Sequence, residues 1–307
     1  MKLKIGTRGS KLAMWQAQHV KSLLVLGGAE VEVVPIETTG DKVLDVSIAK
    51  IGSKGVFTEE IEEQLADGRI DIAVHSAKDL QSTLPAGFDL IAIGEREKIN
   101  DVLLSNNKKI DLRNSSLKIG TSSTRRIAFF KKHYPQITIV PVRGNLQTRI
   151  KKMEEGHCDA LMLAYAGVSR MGYEDRIAGV LDIKTFIPAV GQGSIAVESF
   201  SSLASEKSEF VRKSLNHRES EIAVRAERAY LKKMNGGCSI PIFAYANVVG
   251  EKVVLQGGII SLDGTNQVLD TTESSADDPE KSGEELGNKI LNQGGAEILA
   301  QIRSELS

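Results

Sequence analysis

Cysteine is scarce. Cys158 and Cys238 are the two present in 307 residues, too few for a disulfide framework, so a reducing compartment is expected. The amino-terminal MKLKIGTRGSKLA lacks the apolar stretch of about 7–15 residues that a secretory signal needs, which points to the cytoplasm. No run of about 18 apolar residues occurs, which excludes a transmembrane helix. The five histidines, His19, His75, His133, His157 and His217, show neither HExxH nor CxxC-type spacing, and no metal is expected. Net charge is also small. Against 40 acidic side chains stand 39 basic ones, a total of −1 that gives no support to a protein coating nucleic acid or an anionic membrane. With 41% hydrophobic and 26% charged residues the chain is an ordinary globule, long enough for two domains and permitting three.

What is present is an alternation of short β-rich runs and amphipathic stretches, the pattern of βαβ units around a largely parallel sheet. LKIGT (3–7), VEVVPIE (31–37), DIAVH (71–75) and FDLIAIG (88–94) read as strands, and Phe57–Ala66 as a helix capped by Thr58. A polar piece, EREKIND, breaks the chain near residue 95. A second set follows: the strand LKIGTS (117–122), the helix TRRIAFFKKHY, the strand ITIVPV (137–142), the helix NLQTRIKKMEEG and the strand CDALMLAYAG (158–167). Both sets open on L-K-I-G-T, which suggests two similarly built lobes. Each opening also puts Gly and Thr or Ser at a strand's carboxyl edge, where a following helix offers unpaired N–H groups to an anion, although such a sequence alone is more often a plain turn. After FIPAVGQGSIAVES (186–199) the pattern changes: a helix over Glu219–Met234, three strands at 242–249, 252–261 and 266–273, and two helical stretches interrupted at Asn292–Gly295 predict a small α+β domain. The stretch from 274 to 285 reads as a solvated loop and helix start.

Charge is unevenly spread. Between Leu112 and Met153 there are ten basic side chains and no acidic one: Arg113, Lys118, Arg125, Arg126, Lys131, Lys132, Arg143, Arg149, Lys151 and Lys152. Arg125, Arg126, Arg143 and Arg149 lie at predicted strand-to-helix junctions, which face the cleft of an open α/β sheet. The planar guanidinium suits carboxylate or phosphate, so these four predict a small polyanionic ligand. Lys131, Lys132, Lys151 and Lys152 read as a solvated helix face. HSAKDL (75–80) puts Lys78 directly before Asp79 at another strand end, where a carboxylate can stabilise a developing cation or move a proton while the amine binds an anionic substituent. A surface ion pair or helix cap is the plainer alternative. Lys50 and Lys54 lie on a glycine-containing loop. Cys238, in MNGGCSIP, sits in a predicted loop with its thiol accessible, whereas Cys158 opens an apolar strand and is expected to be buried. No Ser/His/Asp or Cys/His arrangement accompanies Cys238, but covalent attachment needs only a reachable thiolate.

Six motifs in order, IGTRGSKLAMWQA, HSAKDL, GTSSTRR, VRGNLQTR, PAVGQGS and AERAYLKKMNGGCSIPI, resemble the hydroxymethylbilane synthase (porphobilinogen deaminase) family from residue 3 to about 250. The resemblance implies two periplasmic-binding-protein-like α/β lobes around a cleft plus a small C-terminal α+β domain with a three-stranded sheet. Lobe 1 would span 1–95 with a return segment at 193–213, lobe 2 would span 96–192, and the cofactor-carrying domain 218–307. It also implies a transferase that joins four porphobilinogen molecules head to tail with loss of ammonia, then adds water to give 1-hydroxymethylbilane for porphyrin and heme biosynthesis. The cofactor is a dipyrromethane bound by a thioether to the position of Cys238, and each of its pyrroles bears acetate and propionate.

Carried over by motif, Asp79 would contact pyrrole N–H groups, assist loss of ammonia and stabilise the azafulvenium cation. Lys78, Thr121, Ser122, Ser123, Arg125, Arg126, Arg143 and Gly144 would bind the cofactor, and Arg8, Ser10, Arg149 and Gln192 the substrate. Lys50, Lys54 and Phe57 would belong to a loop covering the cleft. The partners implied are porphobilinogen and the growing polypyrrole, with a monomeric protein. Ala77 and Thr124 depart from the family's frequent HSMKDVP and SSLRR without removing a reactive group. A non-catalytic two-lobed anion-binding protein is the alternative, though it has no need of Cys238 or Asp79.

Overall fold

The computed structural model describes residues 1–42, 58–107, 109–237 and 239–306. Its first sheet begins with β1 (Lys2–Arg8), whose alternating Leu3 and Ile5 are buried, and β2 (Glu30–Ile36). Between them α1 (Lys11–Leu26) buries Ala17, Val20 and Leu24, one helical face. Next come α2 (Glu59–Ala66), β3 (Ile72–Ser76), a 3₁₀ turn over Ala77–Asp79, and β4 (Phe88–Ile93).

The second sheet takes β5 (Asp101–Leu104), β6 (Lys118–Gly120), β7 (Thr138–Val140), β8 (Ala160–Ala164) and β9 (Ile177–Val180). Its helices are α3 (Thr124–His133), α4 (Leu146–Glu154) and α5 (Tyr165–Arg170). Beyond it lie β10 (Ile195–Phe200), α6 (Ser205–Leu215) and α7 (Arg218–Lys233). A last antiparallel sheet of β11 (Ile242–Val249), β12 (Lys252–Ile260) and β13 (Gln267–Ser275) is followed by α8 (Pro279–Ile290) and α9 (Ala296–Leu306). The fold is α/β throughout its first two sheets and α+β in the third. No described helix is long and apolar enough to cross a membrane.

The two large sheets share one plan. Their orders are β2-β1-β3-β10-β4 and β7-β6-β8-β5-β9. In each, three strands run parallel and a fourth is antiparallel to both its neighbours. The antiparallel strands are exchanged in sequence: β5 enters the second sheet just after β4, and β10 returns to the first. Two chain crossings therefore join the sheets, and they bond to each other. Glu97 N donates to Gly193 O at 3.2 Å, Arg96 Nε to Gln192 O at 2.9 Å, and Gln192 Nε2 to Ile99 O at 2.7 Å. Gly193 has φ +94°, and a Cβ there would lie 2.4 Å from Glu97 O, so this approach requires glycine.

Four departures from the sequence reading have physical causes. EREKIND is not only a break, because its last residue, Asp101, begins the buried strand β5. The strand read through residue 167 stops at Ala164, and Tyr165 starts α5. The polar stretch 274–285 holds most of α8's first two turns, with Pro279, Ser282 and Gly283 buried, because small residues let α8 pack closely on α7. Strand β9 and helix α6 have no counterpart among the elements expected from the sequence. Cys158 is buried as expected, at 4% exposure.

One carboxylate holds the crossings to the third sheet. Glu227 on α7 is fully buried and accepts from Arg96 Nη1 at 2.6 Å and Nη2 at 3.1 Å. It also accepts from Gly191 N at 2.7 Å and Ala246 N at 2.8 Å. An aromatic core of Phe129, Phe130, Phe186 and Phe243 packs the second sheet's helix α3 against β11. Lys131 and Lys132 on α3, read as solvated, are exposed but donate across this junction to Leu262 O and the Gln267 side chain. Replacing Glu227 by Ala strands one guanidinium and two amides away from water. Urea denaturation at pH 7 is expected to show a loss of about 3–5 kcal/mol. A loss below about 1 kcal/mol, the size of a surface pair, would contradict this role.

Candidate active site

In an open sheet the loops beyond the carboxyl ends of parallel strands line the ligand crevice. Here those of β1, β3, β6, β7 and β8 do so from both sheets. Gln16, Ser76 and Lys78 from the first sheet's side meet Ala164, Arg170 and Ser194 around a cavity of about 30 Å³. Arg8 closes β1 and is half-buried. Ser10 caps α1, its hydroxyl oxygen accepting from Ala13 N at 3.3 Å, so the residue expected to bind substrate has a structural task as well.

Lys78 and Asp79 sit on the 3₁₀ turn that ends β3, Lys78 half-buried and Asp79 exposed. The turn is anchored by its neighbours. Gln16 Nε2 donates to Ser76 Oγ at 2.9 Å, and Arg228 on α7 donates to Gln81 O at 2.8 Å. Burial lowers the Lys78 amine to about 8, with Asp79 opposing and Arg126 reinforcing the shift.

Across the cleft, Thr121 follows β6, Ser122 Oγ donates to Val142 O at 3.2 Å, and Ser123 takes the N-cap of α3 without a side-chain cap bond. Arg125 and Arg126 then point inward. Both are buried, and both bind Asp101: Arg125 Nη2 at 2.8 Å and Arg126 Nη2 at 2.7 Å. Their Nη1 groups donate to Ile187 O at 2.6 Å and Met162 O at 2.8 Å. Burial by itself would raise the Asp101 carboxyl, but the two guanidiniums pull it well below the usual carboxylate range. The arginine pair is therefore not open in the way the sequence suggested. It keeps one orphan donor, because Arg126 Nε is buried with no partner.

The third group comes from the loop after β7. Gly144 adopts φ +112°, a left-handed turn that brings Arg143 and Arg149 together, and Arg149 Nε donates to Gly144 O at 2.7 Å. Burial lowers the Arg149 guanidinium to about 10, with Arg126 and Arg143 adding to the effect and Asp79 opposing it. Gln192 has a structural task too. It is fully buried in the crossing, and its amide nitrogen donates to Ile99 O and, at 3.1 Å, to Asp101 Oδ1, so the residue expected to bind substrate also ties chain segments together. Of the basic tract, Arg113 pairs with Asp111 at the surface, and Lys151 pairs with Glu155. Cys238, Lys50, Lys54 and Phe57 lie outside the described residues.

The structure adds residues that the sequence reading passed over. Asp101 looked like part of a polar break, although an acid heading the apolar run VLL was the available signal. Arg170 ends α5 as a lone arginine in an apolar stretch. It donates to Gly193 O at 2.6 Å and lies 5.9 Å from the centre of the Trp15 ring, itself stacked on His19.

The chain's sequence matches the family model described as porphobilinogen deaminase, dipyromethane cofactor binding domain, over residues 3–207. It matches the corresponding C-terminal domain over residues 221–292. The chain belongs to the porphobilinogen deaminase family. Among its relatives, the porphobilinogen deaminase of Cytophaga hutchinsonii is 55% identical over 99% of this chain and 98% of its own length. That of Desulfosudis oleivorans is 52% identical over 99% of both. Of solved structures, the methionine binding protein MetQ aligns with 69% of this chain and 89% of its own at 12% identity and TM-score 0.45.

For this family member, the lowered Lys78 amine carries a charge that depends on pH just above neutrality. With its midpoint near 8, the amine is charged at pH 7 and loses its proton as pH rises through that value, so its attraction for a carboxylate falls in the same window. In reductively ¹³C-methylated protein, the Lys78 resonance, assigned by its loss in Lys78→Arg, is expected to titrate near pH 8. A midpoint near the ordinary lysine value would refute the assignment.

Proposed function

We propose that the chain is a hydroxymethylbilane synthase, a transferase that condenses four porphobilinogen molecules head to tail, releases ammonia and hydrolyses the product to 1-hydroxymethylbilane. The observation that carries this reading is the charge around Asp79. Lys78, Arg125, Arg126, Arg143 and Arg149 share their fields with two carboxylates, Asp79 and Asp101, an excess of three positive charges. A dipyrromethane, with acetate and propionate on each ring, brings four carboxylates. The orphaned Arg126 Nε and the cationic excess suit that group.

In this reading Arg125, Arg126, Arg143, Arg149 and Lys78 hold carboxylates of cofactor and substrate. Thr121, Ser122, Ser123 and the Gly144 backbone supply shorter polar contacts, and Arg8 and Ser10 meet the incoming pyrrole. When bound, the dipyrromethane supplies the terminal pyrrole carbon from which the chain grows, and Cys238 holds it by a thioether. Asp79, exposed on the turn, stabilises the cation that forms on the substrate as ammonia leaves and handles the proton. Lys50, Lys54 and Phe57 cover the cleft. We further propose lobes at 1–95 with 193–213 and at 96–192, and a cofactor-carrying domain at 218–307, acting as a cytoplasmic monomer.

Intact-mass measurement of the purified chain is expected to show an added mass on the order of 420 Da, as a thioether-linked pair of pyrrole units requires. Cys238→Ser is expected to lack it. Asp79→Ala should keep its fold and lose about 10²-fold or more in turnover. Full turnover by either variant would remove the corresponding role.

A further inference from the structure

Asp101 is a buried acid inside the site that no motif singled out. Its carboxylate is fully buried at the head of β5, 24 residues before the first of the two arginines it binds. Arg125 and Arg126 are adjacent in sequence and both buried, so their like charges repel unless an anion lies between them. Asp101 supplies that anion symmetrically, one oxygen to each guanidinium, at 2.8 Å and 2.7 Å. The main-chain carbonyls of Ile187 and Met162 fix the opposite Nη groups, so each planar fork is held at two points.

We propose that Asp101 is the positioning residue of the carboxylate-binding site, setting the place and angle of the Arg125–Arg126 pair and tying it to the interlobe crossing through Gln192. The inference rests on the reading above, that this pair binds carboxylates. Three observations carry it. One carboxylate serves two arginines, which leaves a net positive charge for a ligand to neutralise. A guanidinium has five N–H groups, and after Asp101 and the carbonyl are served Arg126 still has its buried Nε without a partner. Gln192 Nε2 donates at once to Asp101 Oδ1, at 3.1 Å, and to Ile99 O, at 2.7 Å, so the carboxylate is linked to the segments that cross between the two sheets. An ion pair serving stability alone would need neither the orphan donor nor the link to the crossing.

Asp101→Asn in the full chain keeps the shape and removes the charge. The readouts are the fraction of chains carrying the cofactor mass, the KM and kcat for porphobilinogen, and the melting temperature. The expected result is a cofactor-loaded fraction below about half of the parent's and, in the loaded fraction, a KM raised about tenfold with kcat less affected. Asp101→Glu restores the charge but displaces both guanidiniums by a methylene. It is expected to recover loading while KM stays raised about threefold or more. Parental loading and KM in Asp101→Asn would overturn the proposal whatever the melting temperature, because a purely structural ion pair changes only the latter. If Asp101→Asn does not fold, Asp101→Glu decides, and a parental KM there overturns it. A parent chain with neither cofactor mass nor turnover would remove the functional reading itself, and this inference with it.

Discussion

The relative position of the two large sheets rests on Glu227. Its carboxylate collects four N–H donors from three parts of the chain: Arg96 on one crossing, Gly191 on the other, and Ala246 on the third sheet. A buried carboxylate tolerates removal from water only when so many donors replace it. The carboxyl edges of β3 and β6 stand opposite one another because both crossings are held there. Through α7, the same helix also reaches Gln81, two residues beyond Asp79, by way of Arg228.

Positive charge in the cleft needs similar support. The first sheet's side contributes Lys78, whose amine is lowered chiefly by burial, with two neighbouring guanidiniums adding to the effect. The second contributes arginines, which burial cannot readily neutralise. The protein therefore assembles a concentrated positive field from residues of two kinds. Asp101 makes part of that field stable without cancelling it. The ten-to-none imbalance of the 112–153 tract thus divides: a few residues enter the cleft, while Lys131, Lys132, Lys151 and Arg113 make contacts on the outside.

Much of this was legible in the sequence because its signals are local. Strand ends carry Gly-Thr and His-Ser, an acid-free tract marks the cationic cleft, and HSAKDL places Lys78 and Asp79 on the turn where they lie. The parts that were not legible depend on partners far away in the chain. Asp101 gains meaning only from Arg125 and Arg126, and Gln192 only from Ile99 and Asp101. The capping task of Ser10 was hidden because a serine hydroxyl after a strand looks alike whether it caps a helix or binds an anion. The polar helix α8 was hidden because small residues, rather than large apolar ones, allow it to approach α7.

The exchange of antiparallel strands also sets an order of assembly. All five strands of the second sheet are encoded between Asp101 and Val180, whereas the first sheet lacks its member between β3 and β4 until β10 has been made. On a ribosome, the amino-terminal portion therefore waits with the edges of β3 and β4 unpaired while the portion behind it can already close. The last strand to arrive carries Glu198, fully buried beside His75, so the first sheet is completed by a polar pair in its interior.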